Sequence, residues 1–461
     1  MNTQQLLNKA VTLLQQQKFA QAKAICRKLR HQAPTDFNAC HLYAVVHMRD
    51  QQLKASAELF SEAIKLNAAA AQKAQAYSNY ALTLQQLGQL TEADQMIQRA
   101  LAITPTDPAF LSNAANICES LRQWPEMARY HQQVLTHDNT ALDSVIGLAV
   151  ALRQQQQLQQ AQQVLDKIPD PARNLDWLRE QTLLWLLNSQ HTLLLSFIEQ
   201  QSLPADLIVA LADYVAEEHT PDAALPLYQQ VLQLEPDNQT ARHMMAAAEG
   251  IATERAPAAY VTSLYDQNAS QFEQRLVGTL GYDAPTRLAK RLQQFCDSPK
   301  VVYDLGCGTG LMGEALQPLK PGQITGLDLS DQMLQLAAKK NCYSQLIQGD
   351  LLEAQLPVGQ ADLIVAADVL IYIGDLEPVF ERVSYWLESD GIFALTIEQQ
   401  LDRTEPLLSE SGRFRHHPQR LVEQAEAAGL SLIEQERFPL RQESNELLTG
   451  EMFLFRQSGP K

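Results

Sequence analysis

Up to about residue 248 the apolar positions recur every three or four residues, the period of a helix with one buried stripe. Polar residues, many of them glutamine, fill the positions between. Beyond that point short apolar runs alternate with helical stretches. Residues 301–305, 323–327, 345–347, 363–367, 392–397 and 452–455 read as strands; residues 309–319, 331–340, 376–387 and 418–429 read as helices. Strand and helix alternating at this spacing predict a doubly wound parallel sheet, whose ligands sit outside the carboxyl ends of the strands. Glycine usage marks the same change. Only Gly88 and Gly147 of the 19 glycines precede residue 240, and Gly250 and Pro257 interrupt the helical pattern between them and the sheet. The expected division is a helical part over 1–249, a linker and helical cap over 250–280, and an α/β part over 281–461.

The helical part repeats itself. Tyr77, Tyr80, Ala81, Leu84, Gly88, Ala93, Ile97, Ala100 and Pro105 share their spacing with Leu6, Ala10, Leu13, Ala22, Cys26, Leu29 and Pro34. The pattern returns at Ile208, Leu211, Ala212, Val215, Ala224, Tyr228, Val231 and Pro236, and more weakly at Tyr43, Ala44, Ser56, Phe60 and Ala63. Small residues belong where antiparallel helices cross closely, and a proline ends each unit because it cannot continue a helix. This resembles the tetratricopeptide repeat (TPR), a helix-turn-helix unit of 34 residues. The prolines are spaced for about seven units over roughly residues 3–238, the middle ones degraded. The resemblance implies an extended surface that binds a protein or peptide partner; self-association or shielding of the second half is the other reading.

Charge narrows the function. The chain carries 36 basic and 53 acidic side chains, a formal net charge of -17. The first 249 residues hold 18 and 24 of these, the remainder 18 and 29, so the α/β part is the more acidic. An acidic surface repels a phosphate backbone, which argues against nucleic acid as substrate. The six cysteines lack metal-ligand spacing and read as reduced thiols of a cytoplasmic protein, and no metal site is expected. The N-terminus lacks a basic and then apolar leader, and no stretch of about 18 apolar residues occurs, so neither secretion nor a membrane span is expected.

The chemistry concentrates at Asp304-Leu305-Gly306-Cys307-Gly308-Thr309-Gly310. Glycines let a chain turn sharply and let a ligand approach without a Cβ in the way. Asp328 closes the next strand, where a carboxylate can accept two hydrogen bonds from a ribose diol. Dinucleotide folds want G-x-G-x-x-G; here the glycines are evenly spaced, position 311 is leucine, and an acid precedes the loop. That acid suits a cationic ligand better than a pyrophosphate, which weakens a dehydrogenase reading. With residues 326–334, Gly349-Asp350-Leu351 and residues 361–370 in matching order, this part resembles the class I S-adenosylmethionine methyltransferases. The whole chain is similar to bacterial methyltransferases that carry TPR repeats.

The resemblance implies an all-α TPR solenoid followed by an α/β Rossmann-like doubly wound domain. It implies that Asp304, Gly306, Gly308 and Gly310 hold the methionine end of S-adenosylmethionine. Asp328 would take the ribose hydroxyls, Asp350 and Leu351 the adenine, and Asp368 would lie near the methyl donor. Met333 is either a wall of the adenine pocket or helix core. Tyr265 and Tyr282 belong to a helical cap over the cofactor, or else to a linker helix docked on the sheet; Phe272 and Leu276 share the face of Tyr265.

Acceptor-side candidates are Asp368, Tyr372 and Glu398 at strand ends, with Arg441 beyond. The segment 399–420 adds Arg413, Arg415, His416 and His417. That cluster either binds an anion and supplies a base, or is a solvated loop. Asp368, Tyr372 and His416 are the expected catalytic side chains. The N-P-P-Y type tetrapeptide of base-amine methylation is replaced by Ala366-Ala367-Asp368-Val369. The expected function is methyl transfer to a small-molecule or protein acceptor. The other reading is a scaffold that binds the cofactor without turnover.

Overall fold

The protein is described by a computed structural model covering residues 2–268, 282–443 and 446–458. It forms two compact units, Met1–Phe197 and Ile198–Lys461. The first is built from helix pairs. Thr3–Gln15 pairs with Phe19–Gln32, Phe37–Arg49 with Leu53–Ala63, and Ala70–Gln86 with Leu90–Ile103. Pro108–Ser120 pairs with Trp124–His137 and Leu142–Gln154 with Leu158–Leu165; Leu175–Leu187 follows. Alanines 10, 22, 44, 63, 81, 93 and 100 are fully buried, as close crossings require.

The turn inside each pair, and the turn between Leu175–Leu187 and His191–Gln201, has one form. Gln17, Gln51, Gly88, Arg122, Gln156 and Ser189 all adopt φ between +56° and +75°. The next residue's N–H reaches back five positions to a helix carbonyl, Lys18 to Leu13 and so on to Gln190 to Trp185, at 2.7–2.9 Å. This left-handed closure satisfies carbonyls that a helix end leaves open. A non-glycine residue costs about 1–2 kcal/mol there, and five of the six accept it. Spacing between successive turns is 33–37 residues, the repeat read from the sequence.

The second unit opens with three more helices, Ala205–Glu218, Pro221–Leu234 and Gln239–Ala248. The composition change near residue 249 therefore falls inside this unit. Nine strands follow among the described residues: β1 Val301–Leu305, β2 Gln323–Asp328, β3 Gln345–Gln348, β4 Ala361–Ala366, β5 Leu387–Glu398, β6 Leu407–Leu408, β7 Phe414–Arg415, β8 Leu430–Glu443 and β9 Glu446–Gln457. Seven of them form one sheet in the order β3-β2-β1-β4-β5-β9-β8. The first five are parallel; β9 and β8 close the edge antiparallel. Residues 452–455, expected as the last strand, are the apolar centre of a much longer hairpin.

Strand alternation sorts the core. Leu305, Ile364, Ala366, Phe393, Leu395, Phe453 and Phe455 face the helices Glu377–Trp386 and Pro418–Ala427. Val302, Leu363, Val365, Ile392, Ala394 and Leu454 face Ala284–Leu292 on the other side. The expected helix over 309–319 is a five-residue helix, Leu311–Ala315, and a 3₁₀ turn, Gln317–Leu319. No helix among the described residues is long and apolar enough to cross a membrane.

Candidate cofactor site

The strand order reverses at β1, so the loops after β1 and β4 diverge and leave a crevice at their carboxyl ends. A cleft of about 1100 Å³, counted out to its mouth, opens there. It is lined by Asp304, Gly306, Gly308 and Thr309 from the first loop, Asp328 after β2, and Asp350 and Leu351 after β3. Asp368, Val369 and Tyr372 close it from the β4 side, and Tyr265 and Tyr282 from the segments ahead of the sheet.

The glycine loop earns its residues by space. A Cβ on Gly306 would lie 2.3 Å from Val369, where the two loops touch. A Cβ on Gly308 would meet nothing within 4 Å, so that backbone is open to a ligand. Asp328 ties the loop down. Its Oδ2 accepts the Gly308 N–H at 2.8 Å and its Oδ1 accepts the Ser330 N–H at 2.9 Å. Burial pushes its carboxyl above the ordinary range, and these backbone bonds pull the other way. Asp304 is buried to 1% exposure and accepts the Tyr343 hydroxyl at 2.6 Å. Burial raises its carboxyl to about 7; the Tyr343 bond lowers it and the charge of Asp328 raises it further.

The acid after β3 is engaged. Asp350 accepts Arg255 Nη1 at 2.7 Å on Oδ2 and the Leu352 N–H at 2.8 Å on Oδ1. Arg255 belongs to a strap that runs beside the loop after β4. Ala256 N–H donates to the Tyr372 carbonyl at 2.8 Å, and Gly374 N–H to that of Glu254 at 2.8 Å. The strap continues into the helix Ala258–Asn268, which brings Val261 and Tyr265 to the cleft and is pinned by a hydrogen bond from Ser330 Oγ to Asp266. Phe272 and Leu276 lie outside the described residues, as does the side chain of Arg441.

At the β4 side of the cleft, Tyr265 and Tyr372 share a hydroxyl–hydroxyl bond of 3.0 Å with rings edge to face. Burial and Tyr372 push the Tyr265 phenol well above its ordinary value, so it stays a neutral donor. Asp368 sits at φ +59°, a rare conformation for a side-chain-bearing residue, and its N–H donates to Thr396 Oγ1 at 2.8 Å. Strain of this kind concentrates at functional sites.

Several expected residues stand apart from the lining, Glu398, Arg413, Arg415 and His417 among them, along with the three that follow. Gly310, at φ +90°, caps the short helix. Met333 is fully buried in the core of the helix Asp331–Lys339. His416 is neither solvated nor in the cleft. Its Nε2 donates to the Leu370 carbonyl at 3.3 Å, and burial holds its imidazole down to about 4, so it is neutral at pH 7. Conversely, Arg255 and Thr309 were not singled out by sequence. Thr309 is buried, and its hydroxyl has no partner among the described residues. An orphan hydroxyl on the loop, a carboxylate beneath it and a second one beside it suit a ligand with a polar, cationic end.

Residues 303–395 match a family described as Methyltransferase domain, and residues 74–107 and 111–143 each match the Tetratricopeptide repeat. The chain combines a methyltransferase domain with tetratricopeptide repeats. The chain is 29% identical over 140 residues to a malonyl-[acyl-carrier protein] O-methyltransferase of Legionella pneumophila, covering 30% of this chain and 49% of that protein. It is 33% identical over 131 residues to a trans-aconitate 2-methyltransferase of Rhizobium meliloti, 28% of this chain and 51% of that one. The chain thus spans about half the length of these relatives. An S-adenosylmethionine-dependent methyltransferase structure from Mesorhizobium loti aligns with 20% identity and a TM-score of 0.32, over 38% of this chain and 98% of that one.

Proposed function

We propose that this protein transfers a methyl group from S-adenosylmethionine to a small-molecule or protein acceptor, with its repeats binding a protein partner or the substrate itself. The observation that carries the reading is the set of acids around the glycine loop. Asp304, Asp328, Asp350 and Asp368 line one cleft, with Arg255 already paired to one of them. Such a cleft favours a cation and disfavours the pyrophosphate of a dinucleotide. Asp304 would hold the ammonium of the methionine end, the open backbone at Gly308 would lie against it, and Asp328 would accept the ribose hydroxyls.

The cofactor supplies a methyl carbon made electrophilic by the adjoining sulfonium. The chain's own work is placement and exclusion of water. Tyr265 and Tyr372 carry their hydroxyls at the acceptor end and orient an acceptor by hydrogen bonds. Asp368, next to them in the cleft, is the group placed to take a proton when the acceptor must lose one.

The expected result with isotopically labelled donor and a cell lysate is that the intact chain labels at least one acceptor, and that Asp368→Asn lowers labelling tenfold or more. Binding of S-adenosylmethionine by calorimetry with no labelled product in any lysate fraction would replace the enzyme by a cofactor-binding scaffold.

A further inference from the structure

Tyr343 lies just ahead of β3, outside the glycine loop and the acids that follow the strands. Its ring occupies a slot made by three glycines, two at the short helix Leu311–Ala315 and its cap and one in β2. A Cβ on Gly310 would lie 3.0 Å from the ring, one on Gly326 in β2 also 3.0 Å, and one on Gly313 in the helix Leu311–Ala315 2.6 Å from both Cζ and the hydroxyl oxygen. Gly313 and Gly326 have no left-handed backbone to explain them. A glycine inside a strand or helix weakens it, so these two are present for the room they leave. The slot puts the Tyr343 hydroxyl between two partners. It donates to Asp304 Oδ2 at 2.6 Å and accepts the Gly313 N–H at 3.2 Å.

The other ionisable groups around Asp304 are Asp328 at the end of β2, whose charge raises it, and Cys307 in the loop and Cys342 beside Tyr343, which the charge of Asp304 raises in turn. None is a cation. The carboxylate is enclosed with a second acid nearby, and the tyrosine hydroxyl is the side chain that favours its charged form.

We propose that Tyr343 is a positioning residue for the cofactor: its hydroxyl keeps the buried Asp304 carboxylate ionised and aimed at the ammonium of the methionine end. The proposal rests on the cofactor reading given above. Burial, with the charge of Asp328 added, drives Asp304 up to about 7 against the opposing Tyr343 bond. Burial and Asp304 push the Tyr343 phenol far above its ordinary value, so it remains a donor throughout the working range. Losing that donor moves Asp304 further up, and the ammonium then meets a neutral acid at neutral pH.

The test is the pH dependence of S-adenosylhomocysteine affinity, measured by calorimetry on the full chain. This ligand carries the same ammonium. Tyr343→Phe keeps the ring in its slot and removes only the hydroxyl. Its midpoint is expected to move up by about one pH unit, giving about tenfold weaker binding at pH 6.5 that converges on the parent by about pH 8.5. Gly313→Ala, which pushes the hydroxyl away, is expected to move the midpoint the same way. In an Asp304→Asn background, Tyr343→Phe is expected to change nothing further. A loss that is equal at every pH would make the ring a filler of the slot and overturn the proposal, as would an unchanged profile. Failure of the parent chain to bind at any pH would instead overturn the cofactor reading.

Discussion

Asp328→Ala is expected to weaken S-adenosylmethionine binding at least tenfold, and by more than removal of a ribose contact alone. A hydrogen bond to a charged acceptor contributes about 1.5–3 kcal/mol, which is about tenfold to 150-fold in affinity. The same carboxylate also receives the Gly308 and Ser330 N–H groups. Alanine therefore releases the loop whose open backbone faces the ligand and uncaps the turn into the helix Asp331–Lys339. Calorimetry on the isolated chain measures the effect. Asp328→Asn separates the two contributions, since the amide oxygen can still accept one backbone N–H. An alanine variant with unchanged affinity would remove Asp328 from the site.

Asp304→Asn is expected to reduce affinity tenfold or more at pH 8 and to flatten the pH dependence. The parent carboxyl, raised to about 7, is mostly ionised at pH 8 and mostly protonated at pH 6. An ammonium pairs with the ionised form only, so the parent's affinity falls about tenfold between those values. The effect on stability has the opposite sense. In the unfolded chain Asp304 ionises near pH 4, so between about pH 4 and 7 the folded state binds the extra proton. Stability from this group is full below pH 4 and is lost as pH rises to about 7. Asp304→Asn is therefore expected to melt higher than the parent at pH 8 without ligand, and level with it at pH 4. A variant that binds less well yet folds more stably would identify a buried acid kept for its ligand. A variant less stable at pH 8 would overturn the burial argument.

Much of the site was legible because its chemistry needs unusual residues. Evenly spaced glycines and acids at strand ends have few purely structural reasons to occur together, and the structure gathers Asp304, Gly306, Gly308, Asp328, Asp350, Leu351, Asp368, Tyr372, Tyr265 and Tyr282 around one cleft. What stayed hidden uses ordinary residues in unusual places. Arg255 is one arginine among many until the strap carries it to Asp350. Tyr343 has no motif, and its signal was indirect: Gly313 and Gly326 stand where a helix and a strand want neither. His416 read as part of a basic loop because the exposed look of its neighbours concealed an inward turn onto Leu370.

The fold was readable to the same degree. Helical period and terminal prolines marked the repeats, yet the left-handed turns were visible only at Gly88. Gln17, Gln51, Arg122, Gln156 and Ser189 take that conformation without advertising it, because packing of the helix pairs outweighs the local cost. The edge hairpin β8–β9 was missed over most of its length. Glu434 and Glu436 stand at the alternate positions that continue into Phe438 and Leu440, so the apolar alternation is interrupted and only half the strand looks like a strand.

His243, on the helix Gln239–Ala248, donates to the Gly412 carbonyl at 2.9 Å and packs against the rings of Tyr260 and Phe414. Ala247 joins Leu408 and Phe414 in a small apolar cluster, and a Cβ on Gly412 would strike Tyr260 at 2.7 Å. Those contacts knit a helix of repeat-like character to the β6–β7 hairpin and to the helix that carries Tyr265. A fragment cut at residue 250 would inherit an open seam, with Phe414 and Tyr260 wetted, and is expected to melt lower and bind the cofactor more weakly than one starting near residue 202. The heritable catalytic module is thus longer than its methyltransferase signature. A recombination event that swapped the helical half at the composition change would sever it, while one placed some 50 residues earlier would leave it whole.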